Sequence, residues 1–261
     1  MKSPRAIAAS LLLWLGMAAS PVIAADIDID IYAQVQSFTW KEFAEGSRLL
    51  REEGPLYGVG GSIQFPIRRF ALQGRGEVFG GSIDYHGETW GGDPVRTDSN
   101  YFGFKLEGDL GWVFPIGEKA SLEPFAGLGY RWWLRDLEST HEATGYLENW
   151  SSLYLRLGGR GDYRFGGSVK TFAEASVKFP VYNENTAHLG EVGLEDVTLN
   201  PGRKPWFFAE AGIQYSLFRL SIFYEGMRFS KSGVVAIDHE LGVYQPESTA
   251  DLFGLNLGVS F

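Results

Sequence analysis

The chain closes with Leu252-Phe253-Gly254-Leu255-Asn256-Leu257-Gly258-Val259-Ser260-Phe261. Phe253, Leu255, Leu257, Val259 and Phe261 fall on every second position, with Gly254, Asn256, Gly258 and Ser260 between them. Successive side chains of a strand point to opposite faces, so this segment has one apolar face and one small or polar face. The same rhythm of two runs back through the chain, and it decides the fold.

Working outward, the clearest strand carries Phe102, Phe104, Leu106, Leu110, Trp112 and Phe114 on one face, against Gly103, Lys105, Glu107 and Asp109 on the other. Similar segments run at about 27–40, 56–67, 70–86, 122–135, 153–163, 169–179, 207–215 and 220–225, which makes ten predicted strands with the last. In the third, the polar set Gln73, Arg75 and Glu77 gives way to Phe79, Ile83 and Tyr85 in the same parity, which predicts a bulge near Gly80-Gly81. Long polar connections, 41–55, 136–149, 183–204 and 231–248, alternate with tight turns such as Pro66-Ile67-Arg68-Arg69 and Phe165-Gly166-Gly167-Ser168.

An apolar face opposite charged residues on strand after strand suits a bilayer, where every backbone polar group must be paired internally. The expected fold is therefore all-β: a closed antiparallel up-and-down transmembrane β-barrel of about ten strands, with short periplasmic turns and long extracellular loops. The closing segment resembles the C-terminal assembly signal of bacterial outer-membrane barrels, in which alternating hydrophobes end on Phe. That resemblance implies recognition of Phe253, Leu255, Leu257, Val259 and Phe261 by the barrel-assembly machinery.

The opposite end agrees. Lys2 and Arg5 precede an apolar run from Ile7 to Met17 and the small-residue stretch Ser20 to Ala25. This reads as a secretory signal peptide over residues 1–25, cleaved after Ala24 or Ala25, with a barrel domain over 26–261. The apolar run is far short of the ~20 residues of a spanning helix. The absence of Cys excludes a lipid-modified cysteine and any disulfide. Without Lys2 and Arg5 the chain holds 21 basic and 32 acidic residues, a net charge of −11 that argues against nucleic acid as a partner. An aromatic content of 15% and 34 Gly match the girdles and crowded interior of a barrel. The expected location is the cell outer membrane, with its lipid and lipopolysaccharide as surroundings.

If the apolar faces meet lipid, the lumen receives Arg75, Lys105, Arg131, Arg135, Arg156, Arg160, Lys170 and Lys178, against Glu77, Glu107, Asp109, Glu123, Asp162, Glu174, Glu210 and Glu225. Eight charges of each sign in a narrow barrel predict a cross-linked polar plug, because buried charges persist when paired. Phe125, Trp133, Tyr154, Phe172, Phe208 and Phe223 share the inward parity and leave little space. Trp133, Trp150 and Tyr154 are expected to stack near the third loop, with Arg131 or Arg135 against them.

Candidate chemistry lies at the rim. His86, His141, His188 and His239 all fall there, beside Asp84, Glu142, Glu191, Asp238 and Glu240, but without the spacing of a metal site. Length and strand number resemble the omptins, outer-membrane proteases that carry an Asp pair facing an Asp–His couple at the barrel rim. Asp84-Tyr85-His86 and Asp238-His239 are the nearest counterparts, yet the first lacks a second Asp and the second places Asp and His on opposite strand faces. No catalytic residue, metal ligand or cofactor site is assigned. The expected role is structural or surface-interacting, with a rim-active hydrolase (omptin-like or acting on lipid A) and a small-solute channel as alternatives.

Overall fold

The structure, a computed structural model, describes residues 27–88, 92–237 and 242–261. The expected signal peptide lies outside the described residues, as do Asp238, His239 and Glu240. Ten long strands form the wall: β1 (Asp28–Ala44), β2 (Ser47–Ile67), β3 (Phe70–Glu88), β4 (Pro94–Trp112), β5 (Ala120–Leu137), β6 (Leu147–Gly166), β7 (Val169–His188), β8 (Trp206–Tyr215), β9 (Phe218–Ser230) and β10 (Glu247–Ser260). Each pairs antiparallel with its neighbours in sequence, and β10 pairs with β1, from Asp30↔Ser260 to Phe43↔Glu247. The sheet therefore has no open edge along its seam, as hydrocarbon requires.

The alternation sorts as the sequence implies. Ile31, Leu106, Leu110, Leu128, Leu155, Ile222 and Leu257 stand exposed on the outer wall, while Lys105, Glu107, Arg131, Arg156 and Glu225 are buried inside. The outward apolar positions form a belt, and a transmembrane strand needs only ~9–11 residues to cross it. The strands are longer than that, with 17 residues in β1 and 21 in β2. At the long-loop end they continue past the belt, where outward positions become Lys41, Arg51, Asp84, Arg96 and Asp98.

Two sequence expectations need correction here. The segment 41–55 is not a loop: β1 and β2 pair up to Ala44↔Ser47 and turn through Glu45 and Gly46, both at positive φ, as in a two-residue hairpin turn. Charge misled the reading, because the outward face turns polar once the strands leave the lipid while pairing continues. The bulge expected at Gly80-Gly81 is also absent. β3 keeps one register with β4 from Phe70↔Trp112 to Glu88↔Pro94. Phe79, Ile83 and Tyr85 point inward like Glu77, because the lumen itself changes from charged to aromatic along that strand. A register shift does occur between β6 and β7 at Leu153/Tyr154, and beyond it Asn183, Asn185 and Ala187 face inward.

Candidate functional site: the filled lumen

The lumen is built in layers. In the lower one, at belt height, Arg156 lies 2.9 Å from Glu107, 2.8 Å from Asp109 and 2.5 Å from Glu174. Lys178 joins Glu107 at 2.7 Å and Glu225 at 2.5 Å. Lys105 joins Glu77 at 2.8 Å and Glu225 at 3.6 Å, and Arg131 meets Glu225 at 3.3 Å. Arg75 bridges Glu174 and Glu210, each at 3.4 Å, and Arg160 reaches Asp109 at 3.0 Å and Glu123 at 3.5 Å. Tyr154 and Tyr32 donate to Glu107 and Glu77 at 2.7 and 2.8 Å. Shared partners link all of these charges into one connected set.

Three of the sequence-assigned lumen charges stand apart from it: Arg135, in a cluster described below, Asp162 and Lys170. Asp162 accepts from Ser121 at 2.5 Å, and Lys170 lines a polar vestibule of about 520 Å³ at the short-turn end, with Asp28, Gln64 and Arg164.

Above the charges lies an aromatic layer that reaches from wall to wall. Trp40 of β1, Trp133 of β5, Trp150 of β6, Trp206 of β8 and Phe229 of β9 are all buried. Trp133 and Trp150 stack at 5.3 Å with 10° between planes, and Trp40 packs edge-on against Trp150 at 5.1 Å. Phe229 closes the layer at 5.5 Å from Trp150 and 6.1 Å from Trp206. Tyr154, expected in the Trp stack, packs on Trp206 instead at 5.2 Å. Arg135 lies over Trp40 and Arg131 over Phe79.

A second charge cluster, missed in the sequence, sits beside this layer beyond the belt. Arg135 reaches Glu42 at 3.1 Å, Glu52 at 2.7 Å and Glu148 at 2.8 Å. The indoles of Trp40 and Trp150 donate to Glu42 and Glu148 at 2.9 and 2.7 Å, Ser99 donates to Glu52 at 2.9 Å, and the Tyr101 hydroxyl also donates to Glu52. One guanidinium faces three carboxylates. Burial pushes the Glu42 carboxyl up to about 7, more than Arg135 pulls it down. Glu42, Glu52 and Glu148 fall within the polar stretches 41–55 and 136–149, yet each continues the inward parity of its strand. That parity was the available signal.

Among the described residues the rim histidines form no common site. His86 faces outward on β3, and His188, at the end of β7, pairs at 2.7 Å with Asp196 of the loop that follows. Asp84 also faces outward and has Asp98 directly across on β4, so its neighbouring carboxylate comes from a different strand and points away from the lumen. Among the described residues no group of His, Asp and Glu is arranged to hold a metal.

A closed barrel with a lipid-compatible belt defines an outer-membrane β-barrel. The autotransporter β-domain family model matches residues 54–226, and the chain belongs to that family. Among solved structures it is similar to the outer membrane protease OmpT from Escherichia coli, at 11% identity and a TM-score of 0.59, covering 91% of this chain and 97% of that one. It is also similar to the transport unit of the autotransporter AIDA-I from Escherichia coli, at 12% identity and a TM-score of 0.47, with 100% of both chains covered. An outer membrane channel from Pseudomonas putida F1 matches at 10% identity and a TM-score of 0.43, over 94% of this chain and 100% of that one. At such identities the likeness is one of fold. No curated protein matches the sequence.

Proposed function

We propose that this protein is an integral outer-membrane barrel with a permanently closed lumen, acting through its outer wall and loops in a structural or surface-interaction role. On this reading a signal peptide is cleaved after Ala24 or Ala25, and the short-turn end faces the periplasm. Outer-membrane lipid, lipopolysaccharide and the barrel-assembly machinery are its partners. The observation that carries the reading is the layer of Trp40, Trp133, Trp150, Trp206 and Phe229 lying across a connected set of buried ion pairs. Solute passage would have to displace both. A polypeptide conduit would need still more of the lumen emptied. A rim hydrolase finds little support, because Asp84 and His86 face outward from the wall and not into the mouth of the barrel.

Single-channel recording in planar bilayers tests this directly. The expected result is silence or rare small openings. A steady large conductance whose ion selectivity changes in Arg156→Ala or Glu107→Ala would establish a pore and overturn the reading.

A further inference from the structure

The vestibule at the short-turn end is a chamber closed above by the ion-pair and aromatic layers. Arg75, bonded to Glu174 and Glu210, forms part of its floor, and its volume of about 520 Å³ falls within the range of ligand pockets. Its walls are charged unequally. Arg164 of β6, Lys170 of β7, Gln214 of β8 and Arg219 of β9 are direct cross-strand partners, one after the next, in a continuous inward row. Arg219 is held by Asp30 at 3.3 Å and lies over the Phe172 ring at 3.5 Å. Among the described residues, Lys170 and Arg164 make no ion pair or side-chain hydrogen bond. Two cations set directly opposite on neighbouring strands repel each other, so an anion between them would be favoured.

Five strands further round, on the far side of a wall of ten, β1 and β2 present Asp28 and Gln64, themselves cross-strand partners. Gln64 donates its amide to Glu123 at 3.0 Å, which leaves its carbonyl oxygen as an acceptor. The whole lining carries five basic and six acidic side chains. A dianion or a dication gains no net attraction from so balanced a chamber. A molecule with one charge of each sign, held well apart, meets both walls. Ten strands ~4.8 Å apart, tilted at ~40°, make a wall ~20 Å across between backbones, and side chains from both sides fill about half of that. The two charges of a single amino acid lie too close together to bridge the remaining ~10 Å, whereas a tripeptide spans it at ~3.3–3.6 Å per residue.

We propose that the vestibule binds a short peptide with free termini, about three residues long, its C-terminal carboxylate on Arg164 and Lys170 and its ammonium against Asp28 and the Gln64 carbonyl. Such a site goes beyond the role proposed above and takes from it only that the lumen is closed, so the peptide enters and leaves by the same mouth. Guanidinium and ammonium groups supply charge-assisted hydrogen bonds to the carboxylate, and the Asp28 carboxylate accepts them from the amine.

The test uses the full barrel folded in detergent, with heat-modifiable mobility as the check on folding and calorimetry at low salt as the readout. The probes are trialanine, N-acetyl-trialanine and trialanine amide. Trialanine should bind, and each capped form should bind roughly tenfold more weakly. Arg164→Gln combined with Lys170→Gln should fold, weaken trialanine roughly tenfold, and abolish the preference over the amide while keeping that over the acetylated form. Lys204→Gln, at the long-loop end where Lys204 pairs with Glu247, should change nothing. Absence of binding at millimolar trialanine would overturn the proposal, as would equal binding of the capped forms or full discrimination by the folded double variant. Acetate that binds as tightly as trialanine would also overturn it, since two cations holding any small anion would then account for the site. Conductance of the same samples reports separately on lumen closure.

Discussion

Glu42 shows how far surroundings can reset one residue. It stands in the part of β1 beyond the belt, buried beside Trp40 and sharing Arg135 with Glu52 and Glu148. Desolvation raises its carboxyl from 4.5 to about 7. The folded chain therefore holds this proton more tightly than the unfolded one between those two values. The Glu42 contribution to stability should fall as pH rises from about 4.5 to about 7 and level off above that. Over the full window the loss is on the order of 3 kcal/mol. Glu42→Gln, which mimics the protonated form, should remove this slope and be the more stable chain at pH ~8. Urea unfolding of both proteins across that range decides it. Neighbours Leu106 and Glu107 make the complementary point about faces. Leu106→Arg should destabilise a bilayer-inserted barrel by ~2–4 kcal/mol near the midplane. Glu107→Ala takes one carboxylate from Arg156 and Lys178, which keep Asp109, Glu174 and Glu225, and should cost ~1–3 kcal/mol. If both changes were tolerated equally, the inside and outside of the wall would have been confused.

At the scale of the element, a strand here is a device for keeping parity over great length. β3 holds one register with β4 for its whole course, so a single alternation delivers Glu77 to the ion-pair layer and Phe79, Ile83 and Tyr85 to the apolar interior above it. Crowding between neighbouring strands is relieved by inward glycines. Gly129 on β5 lies against Tyr154 on β6, with room for no Cβ. Gly129→Ala should push Tyr154 off Glu107 and cost ~1–3 kcal/mol, seen as a lower unfolding midpoint. The seam strands β1 and β10 are joined to the end: Ile29 and Phe261 exchange backbone hydrogen bonds at 3.1 and 2.9 Å. Removing Phe261 should lower the folded, heat-modifiable fraction recovered from outer membranes; unchanged recovery would show that neither the seam bond nor the terminal aromatic matters to assembly.

The whole molecule is asymmetric along its axis. One end opens as the polar vestibule, the middle is locked by ion pairs, and the other end is sealed by aromatics and by loops with a small core of Ala187, Leu189, Val197 and Leu199. The chain has no native Cys, so single introduced thiols report access cleanly. In the folded barrel a maleimide should label Gln64→Cys, which lines the vestibule, and leave Ser152→Cys unlabelled, because Ser152 is 0% exposed. Rapid labelling at both positions would mean that water passes the aromatic layer.

The division between sequence and structure follows from range. Alternation is a local property, so the sequence alone determined that Leu106 faces lipid and Glu107 the lumen, that ten strands form the wall, and that large side chains crowd its interior. It failed where local polarity and local geometry part company. Glu42 and Glu52 looked like loop residues, because strands that leave the membrane no longer need a greasy outer face. Which charges meet depends on curvature and tilt, which bring β4, β6, β7 and β9 to one point. Neither the Glu107–Arg156–Lys178–Glu225 linkage nor the gathering of three glutamates around Arg135 is encoded in any short stretch. Only closure of the barrel decided those, since it sets the distance between residues far apart in sequence and removes the water that would otherwise have kept their charges apart.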